Sequence, residues 1–297
     1  MNADEDLKGK NSCCMEMPND QKISSGEENQ LNPTELGIID DVSLSTKKYI
    51  SQRWGNGFYI AGGVLILGGF FFPPFWFIAL LWFVIGFAIA RSKVYTEFFK
   101  QFATNNHFVY EEKGDLGSVV GTLFGRGHTR GMSHVVSGVQ QALPIRFFVY
   151  QYTEGQGKSQ STHQFTVAEL VFGGSLPDII VDSKDDMYVD GGFFSKFKSL
   201  ELGNGFDDVF TLKVPEDLEI EALEVFTPEI MEQLMSRGRG YSFEFIGTKL
   251  YVWKPGVART SAQLREHLSL AQYFITALAP RLTRLSDDVE AYRATKR

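Results

Sequence analysis

Thirty-three consecutive residues, Phe58 to Ala90, carry no charge. The stretch FYIAGGVLILGGFFFPPFWFIALLWFVIGFAIA is too long and too apolar for a soluble core, since a bilayer span needs only about 20 apolar residues. As one helix it would reach roughly 50 Å at about 1.5 Å per residue, against a hydrocarbon core of about 30 Å. Its middle is Pro73-Pro74, which removes two amide donors and clashes with the preceding turn. The expected arrangement is an N-terminal transmembrane helical hairpin spanning 54–90, with helices over 54–72 and 75–90. A re-entrant hairpin that never crosses fully is the alternative.

Charge on the flanks bears on orientation. Lys47, Lys48 and Arg53 precede the stretch and Arg91, Lys93 and Lys100 follow it, while the Pro-Pro turn has no charge. Basic flanks stay on the cytoplasmic side. A hairpin keeps both flanks there, so both termini are expected in the cytoplasm and the FFFPPFW turn near the outer interface. Trp54, Tyr59 and Trp76 suit interfacial positions; Trp82 lies too deep by count.

Residues 1–45 are poor in aliphatic and aromatic side chains and are expected to be disordered. Asp4, Glu5 and Asp6 open the chain without an early apolar segment, which argues against a cleaved secretory signal. Cys13 and Cys14 are the two cysteines of the chain, and adjacent thiols make neither a disulfide framework nor a zinc site. The net charge of −7 argues against a nucleic-acid partner. The bilayer itself is the expected partner, with protein partners beyond it unidentified.

The region 91–285 reads as one cytoplasmic α+β domain, mainly antiparallel β with packing helices, followed by a tail over 286–297. Val94, Phe98, Phe99 and Phe102 recur at helical spacing and carry the second span into the domain. Strands are expected over 107–112, 118–124, 134–139, 145–152, 164–172, 179–182, 200–202, 209–214 and 220–226. Two more, over 241–246 and 249–253, would pair as a hairpin at Gly247-Thr248. Thr227-Pro228-Glu229 opens a helix closed by Gly238. Thr260 and Gln263 form a capping box for a last helix that Pro280 should end or bend.

Chemistry is sparse. The run Gly121–Gly131 holds Arg126, His128 and Arg130, which could seat a phosphate or a lipid headgroup. It matches neither a P-loop nor G-x-G-x-x-G, so a solvated loop is the favoured reading. His128 and His134 could meet across a hairpin and bind metal with Glu169, but no ligand spacing supports a metal site. No G-x-S-x-G occurs, the pairs Asp185-Asp186 and Asp207-Asp208 read as solvated or capping residues, and no cofactor motif is present. The candidate ligand-binding residues are therefore Arg126, His128, Arg130 and His134, with no catalytic set.

Several segments together carry a resemblance. They are Phe165-Thr-Val-Ala-Glu-Leu, Leu176-Pro-Asp-Ile-Ile-Val-Asp-Ser-Lys, Leu200-Glu-Leu-Gly-Asn-Gly-Phe-Asp-Asp, Phe226-Thr-Pro-Glu-Ile-Met and Lys249-Leu-Tyr-Val-Trp. In that order they resemble a bacterial membrane-protein family without an established activity and, more distantly, the DUF3137 family of bacterial proteins. The resemblance implies spans ahead of a soluble region and a bacterial inner-membrane location, and transfers no site. The first functional expectation is a membrane-anchored, non-catalytic binding or scaffold module. A membrane-tethered hydrolase-like enzyme and a component of an envelope transport or assembly system are the alternatives. Gly86 and Ala90 offer a small-residue spacing for helix contact in the last case.

Overall fold

The structure is a computed structural model that describes residues 42–140, 142–185 and 197–295. Of the tail over 1–45 that is expected to be disordered, residues 1–41 lie outside the described residues, and residues 42–45 are helical. Most of the possible short helix at Leu36–Leu44 and the loop core at 186–196 also lie outside them.

Three helices come first: α1 (Val42–Arg53), α2 (Gly55–Gly68) and α3 (Pro74–Asn105). The first apolar helix is shorter than the expected 54–72. It starts after a break at Gly55, whose φ of +57° only glycine adopts without strain, and it stops at Gly68-Gly69 before the turn into Pro73. Pro73 and Pro74 sit where proline is tolerated, at the cap and first position of α3. The second helix then runs far beyond Ala90, all the way to Asn105.

α2 and α3 lie antiparallel, and aromatic rings fill the seam. A methyl group added at Gly62 would stand 2.3 Å from Phe83, and one at Gly86 would stand 2.4 Å from Phe58. Ala90 is buried against Ile50 of α1 and Phe58. The Gly86/Ala90 spacing is thus occupied by this chain's own helices rather than left for a partner. Trp76 and Trp82 donate their indole N–H groups to the carbonyls of Ile66 (3.2 Å) and Phe58 (3.3 Å) across the seam. That explains the deep position of Trp82: its polar atom is satisfied by the neighbouring helix, so it needs no interface. Gly86→Leu is expected to force the helices apart at about 1–3 kcal/mol. The readout is faster proteolysis at the Phe70–Phe72 turn in micelles than for Ala88→Leu, whose position is exposed.

A seven-stranded antiparallel sheet follows. Its strands are β1 (Val109–Lys113), β2 (His128–Gln140), β3 (Leu143–Glu154), β4 (Ser161–Ser183), β5 (Phe197–Leu200), β6 (Phe210–Pro215) and β7 (Ser242–Pro255). The order is β1-β2-β3-β4-β6-β5, and β7 pairs along the other edge of β4. Between β5 and β7 lie the one-turn helix α4 (Phe206–Val209), α5 (Glu219–Val225) and α6 (Pro228–Arg237), and α7 (Ser261–Thr295) closes the chain.

Both faces of the central strands are covered, which is why IRFFVYQY in β3 reads as a nearly continuous apolar run. On one face Phe147, Val149, Ala168, Leu170 and Val252 pack with Phe98, Phe99 and Phe102 of α3 and with Leu264 and Leu268 of α7. On the other, Phe148, Tyr150, Phe165, Val167, Tyr251 and Trp253 lie under Val119, Leu123 and Phe124.

Several expectations change, and others hold. The segment 118–124 is not a strand: it forms 3-10 turns at Leu116–Ser118 and Leu123–Gly125, laid over the second face. Its glycines weaken a strand, and burying Leu123 and Phe124 decides the outcome. Residues 220–226 fall in helix α5, not a strand, with Ala222 and Val225 facing the core. The expected hairpin at Gly247-Thr248 is present within β7, which doubles back at Gly247 (φ +61°) and brings Lys254 Nζ to 4.5 Å from the Tyr241 ring, while the register shifts against it insert their extra residues in β4. Finally, α7 carries through Pro280 to Thr295, so the expected tail from 286 is helical up to that residue. The capping box holds: the Gln263 amide N–H donates to Thr260 Oγ1 at 3.2 Å, and Gln263 Oε1 accepts from the Thr260 N–H at 3.3 Å.

Candidate functional site

The direction of the strands is fixed by α3. The ring of Phe102 meets Phe108 and Phe147, Phe99 stacks on His134 at 5.1 Å, and the Lys100 ammonium lies over Tyr110. β1 therefore returns antiparallel to α3, β2 runs with it and β3 against it. From Phe147, which Phe102 touches, to Thr153 is six residues, or roughly 20 Å at about 3.3 Å per residue. Along α3 the same distance back from Phe102 is about 13 residues, which arrives at Ile89 in the last turn of the charge-free stretch. A crossing angle between helix and strand shortens that reach by its cosine.

One end of the sheet is thereby turned toward the apolar helices. It comprises the start of β2 and the β3–β4 connection at Gly155–Gln160. Arg126, His128 and Arg130 lie here with Lys158 on the connection, while Arg259 follows a turn held at Thr166, further along the sheet. His128 Nε2 lies 2.9 Å from the Gly155 carbonyl and Nδ1 lies 3.2 Å from Thr129 Oγ1, tying β2 to the connection. Arg130 Nη1 donates to the Phe124 carbonyl at 2.8 Å and remains exposed. Gly127 has φ +57°, and a side chain there would strike the Thr153 carbonyl, so the turn into β2 requires glycine. The side chains of Lys158 and Arg259 make no hydrogen bond or ion pair within the described residues.

His134 is not part of that rim. It sits further up the same strand at a bulge, with φ +51°, between Phe99 and Tyr110, whose hydroxyl lies 3.0 Å from Nδ1. Burial pushes its pKa down, with the Glu112 carboxylate acting the other way. His128 and His134 therefore lie along one strand rather than across a hairpin, and Glu169 faces other partners. Among the described residues no group of three or more His, Cys, Asp or Glu side chains is placed to hold a metal ion.

A second polar arrangement lies on the covered face. Glu169 is 3% exposed and takes Lys249 Nζ at 2.9 Å and Arg146 Nε at 2.9 Å, with Arg146 Nη2 on the same carboxylate. Arg146 Nη1 donates to Ser118 Oγ (3.0 Å), and Lys249 donates to the Ser118 carbonyl (2.7 Å). The buried carboxylate is thus clamped by two half-buried cations that also hold the cover at Ser118. A cleft of about 290 Å³ opens beside it.

Near the start of β7, Glu244 is 4% exposed and accepts from the Thr122 amide at 2.8 Å and from the Thr122 hydroxyl. Burial raises its pKa to about 7 despite those hydrogen bonds, and the Asp178 carboxylate adds to the rise. Tyr251 donates nothing to Glu244; its hydroxyl accepts from the Val120 amide at 3.3 Å. The two clusters fix the cover at Ser118 and at Thr122. Their donors and acceptors are committed to one another.

Nothing in the sequence marks these clusters. Arg146, Glu169 and Lys249 come from three strands far apart in the chain, and only their shared register brings them together. His267 is a core residue: Nε2 meets the Val252 carbonyl at 2.8 Å, and burial lowers its pKa to about 4.

No family model matches the chain, and no curated protein matches it. Among solved structures, the crystal structure of the mycobacterial trehalose monomycolate transport factor A, TtfA, is similar, with a TM-score of 0.48 and 13% identity. The match covers 62% of this chain and 93% of that one. A likeness of that degree leaves the function to be argued from the site itself.

Proposed function

We propose that this chain is a membrane-anchored, non-catalytic binding module whose α+β domain stands on the cytoplasmic face of a bacterial inner membrane. The observation that carries the reading is helix α3. Its first half, Pro74–Ala90, is charge-free and largely exposed, with Phe77 at 73%; its second half buries Phe98, Phe99 and Phe102 in the domain core. It is long and apolar enough to cross a membrane by length and composition. Exposing such a surface to water would be costly at about 25 cal/mol per Å², so a bilayer is the environment it fits.

α2 is too short to cross alone: its 14 residues make roughly 21 Å. With the turn at Gly69–Pro73 it enters beside α3, sealed to it by the aromatic seam. The tip is Phe71, 93% exposed. Arg53 and Arg91, at the level where α1 and α2 meet and the charge-free stretch ends, hold both ends of the pair on one side. The continuous helix couples the orientation of the domain to that of the anchor.

Topology reporters at the two termini test the anchor, and opposite-side readings would defeat it. Depth is tested by Phe71→Cys in a Cys13→Ser, Cys14→Ser background. A fully crossing pair is expected to let an impermeant maleimide label position 71 from the outer side of sealed vesicles. Labelling only after detergent lysis would mean a re-entrant anchor.

A further inference from the structure

The geometry points to the cleft beside Arg146 and Lys249 as a binding site for a short aliphatic carboxylate. The acid group sits on the two cations and the chain lies on the apolar wall of the cleft. This gives the binding reading above a ligand class, yet it uses no feature of the anchor. Topology readings that defeat the anchor leave the cleft standing.

Strand register builds the site. Ser137 lies opposite Arg146, Arg146 lies opposite Glu169, and Lys249 lies opposite Val171, two residues beyond Glu169 on the same face of β4. Paired side chains on one face stand about 4.5–5.5 Å apart, so these groups converge without a long reach. The cover meets this row at Ser118, whose hydroxyl accepts from Arg146 and whose carbonyl accepts from Lys249. Beyond the row, the paired residues Val139 and Pro144 are exposed. The cleft of about 290 Å³ is bounded by Ser118 and Ser137 as well as by the charged groups.

Two cations face one carboxylate here, so one positive charge is left over. The clamp commits Nε, Nη1 and Nη2 of Arg146 once each and Lys249 Nζ twice. A guanidinium has five N–H groups and an ammonium three, so both keep donors beyond the clamp. Ser137 adds a half-buried hydroxyl with no side-chain hydrogen bond among the described residues. Two further acids stand nearby. Asp115 accepts from the Gly117 N–H at 2.9 Å, and Glu111 lies on β1 opposite Val135. Neither lines the cleft. An anion placed here gains charge-assisted hydrogen bonds from both cations.

Size and wall chemistry narrow the ligand. Gly138, Pro144, Ile145 and Val171 supply an apolar side to the cleft. At about 30 Å³ for each water-sized group, the space suits an acid of about three to six carbons. The single leftover charge matches a monoanion. A phosphate dianion would leave negative charge in excess, at a desolvation cost that nothing in the cleft offsets.

The test uses the full chain in micelles with sodium valerate as the probe and sodium chloride at equal ionic strength as the control. Valerate at about ten times its dissociation constant is expected to raise the melting temperature by roughly 3–5 °C. Saturation transferred from the protein should appear on the valerate methyl signal. Ser137→Leu fills the cleft and is expected to abolish both effects. Ser137→Ala removes one donor and should weaken binding several-fold, and it serves if the leucine variant misfolds. A rise of the same size in chloride overturns the site in favour of ionic screening. An equal rise with inorganic phosphate overturns the aliphatic carboxylate as ligand. Unchanged binding in a folded Ser137→Leu variant places valerate elsewhere and overturns the assignment to this cleft.

Discussion

Glu169→Ala is expected to destabilise the protein by about 3 kcal/mol, which corresponds to roughly 6–12 °C in melting temperature for a domain of this size. The carboxylate is 3% exposed and is the counter-charge of both Arg146 and Lys249. Removing it leaves two cations facing each other beside Ser118, each only 23% exposed. Their partial contact with water lets them rehydrate, which holds the effect near the lower end of what breaking a buried pair costs. Because the clamp joins β3, β4 and β7 to the cover, the loss should also loosen residues 116–125. Replacing the whole set with Arg146→Met, Glu169→Leu and Lys249→Met should recover most of the stability, since burying charge is itself costly. Chemical denaturation of the full chain in micelles measures both. A drop below about 1 kcal/mol for Glu169→Ala would mean that the cluster behaves as an exposed ion pair.

The second large effect is pH-dependent and centres on Glu244. Its folded pKa is raised to about 7 from 4.5, so its proton is bound more tightly in the folded state. The stability that follows is fully present below pH 4.5 and is lost as pH rises through about 7. At about 1.4 kcal/mol per pKa unit the loss amounts to roughly 3 kcal/mol. His134 and His267 act in the opposite sense. Their pKa values are lowered by burial, so their contribution is present above about 6.5 and is lost as pH falls. The wild-type profile between pH 5 and 8 is therefore the sum of opposed slopes, and Glu244 is isolated by difference. Glu244→Gln keeps one carbonyl acceptor for Thr122 and removes the charge. It is expected to be more stable than wild type at pH 8, relative to pH 5, by up to about 3 kcal/mol. Parallel profiles for the two proteins would show that Glu244 does not titrate in this range.

Much of the architecture was legible before any coordinates. The 3.6-residue spacing of Phe98, Phe99 and Phe102 announced the soluble half of α3, and the Thr227-Pro228 and Thr260/Gln263 signals marked the starts of α6 and α7. These are local effects, in which residues within one turn of each other decide. Errors fell where distant burial decides instead. Residues 118–124 and 220–226 have strand-like composition, but a face of the sheet needed covering in one place and a core needed a helix in the other. Gly247-Thr248 reads as a hairpin turn and is one, since Tyr241 and Lys254 meet across it; the two expected strands 164–172 and 179–182 instead belong to the single element β4, which pairs with both arms of that hairpin.

The candidate site divides along the same line. Arg126, His128 and Arg130 were recognisable as a cationic group because they are adjacent in sequence. Lys158 comes near them only through strand register, and the separation of His134 from them is a matter of which side of β2 meets α3. The charge-free Phe58–Ala90 stretch, its Pro73-Pro74 break and the basic residues on both flanks were fixed by composition alone, because the cost of apolar surface in water depends on no partner. What tertiary structure decided is where the domain's charges stand relative to that stretch. Packing of Phe99 and Phe102 on the sheet sets the direction of every strand, and with it which end of the domain faces the apolar helices.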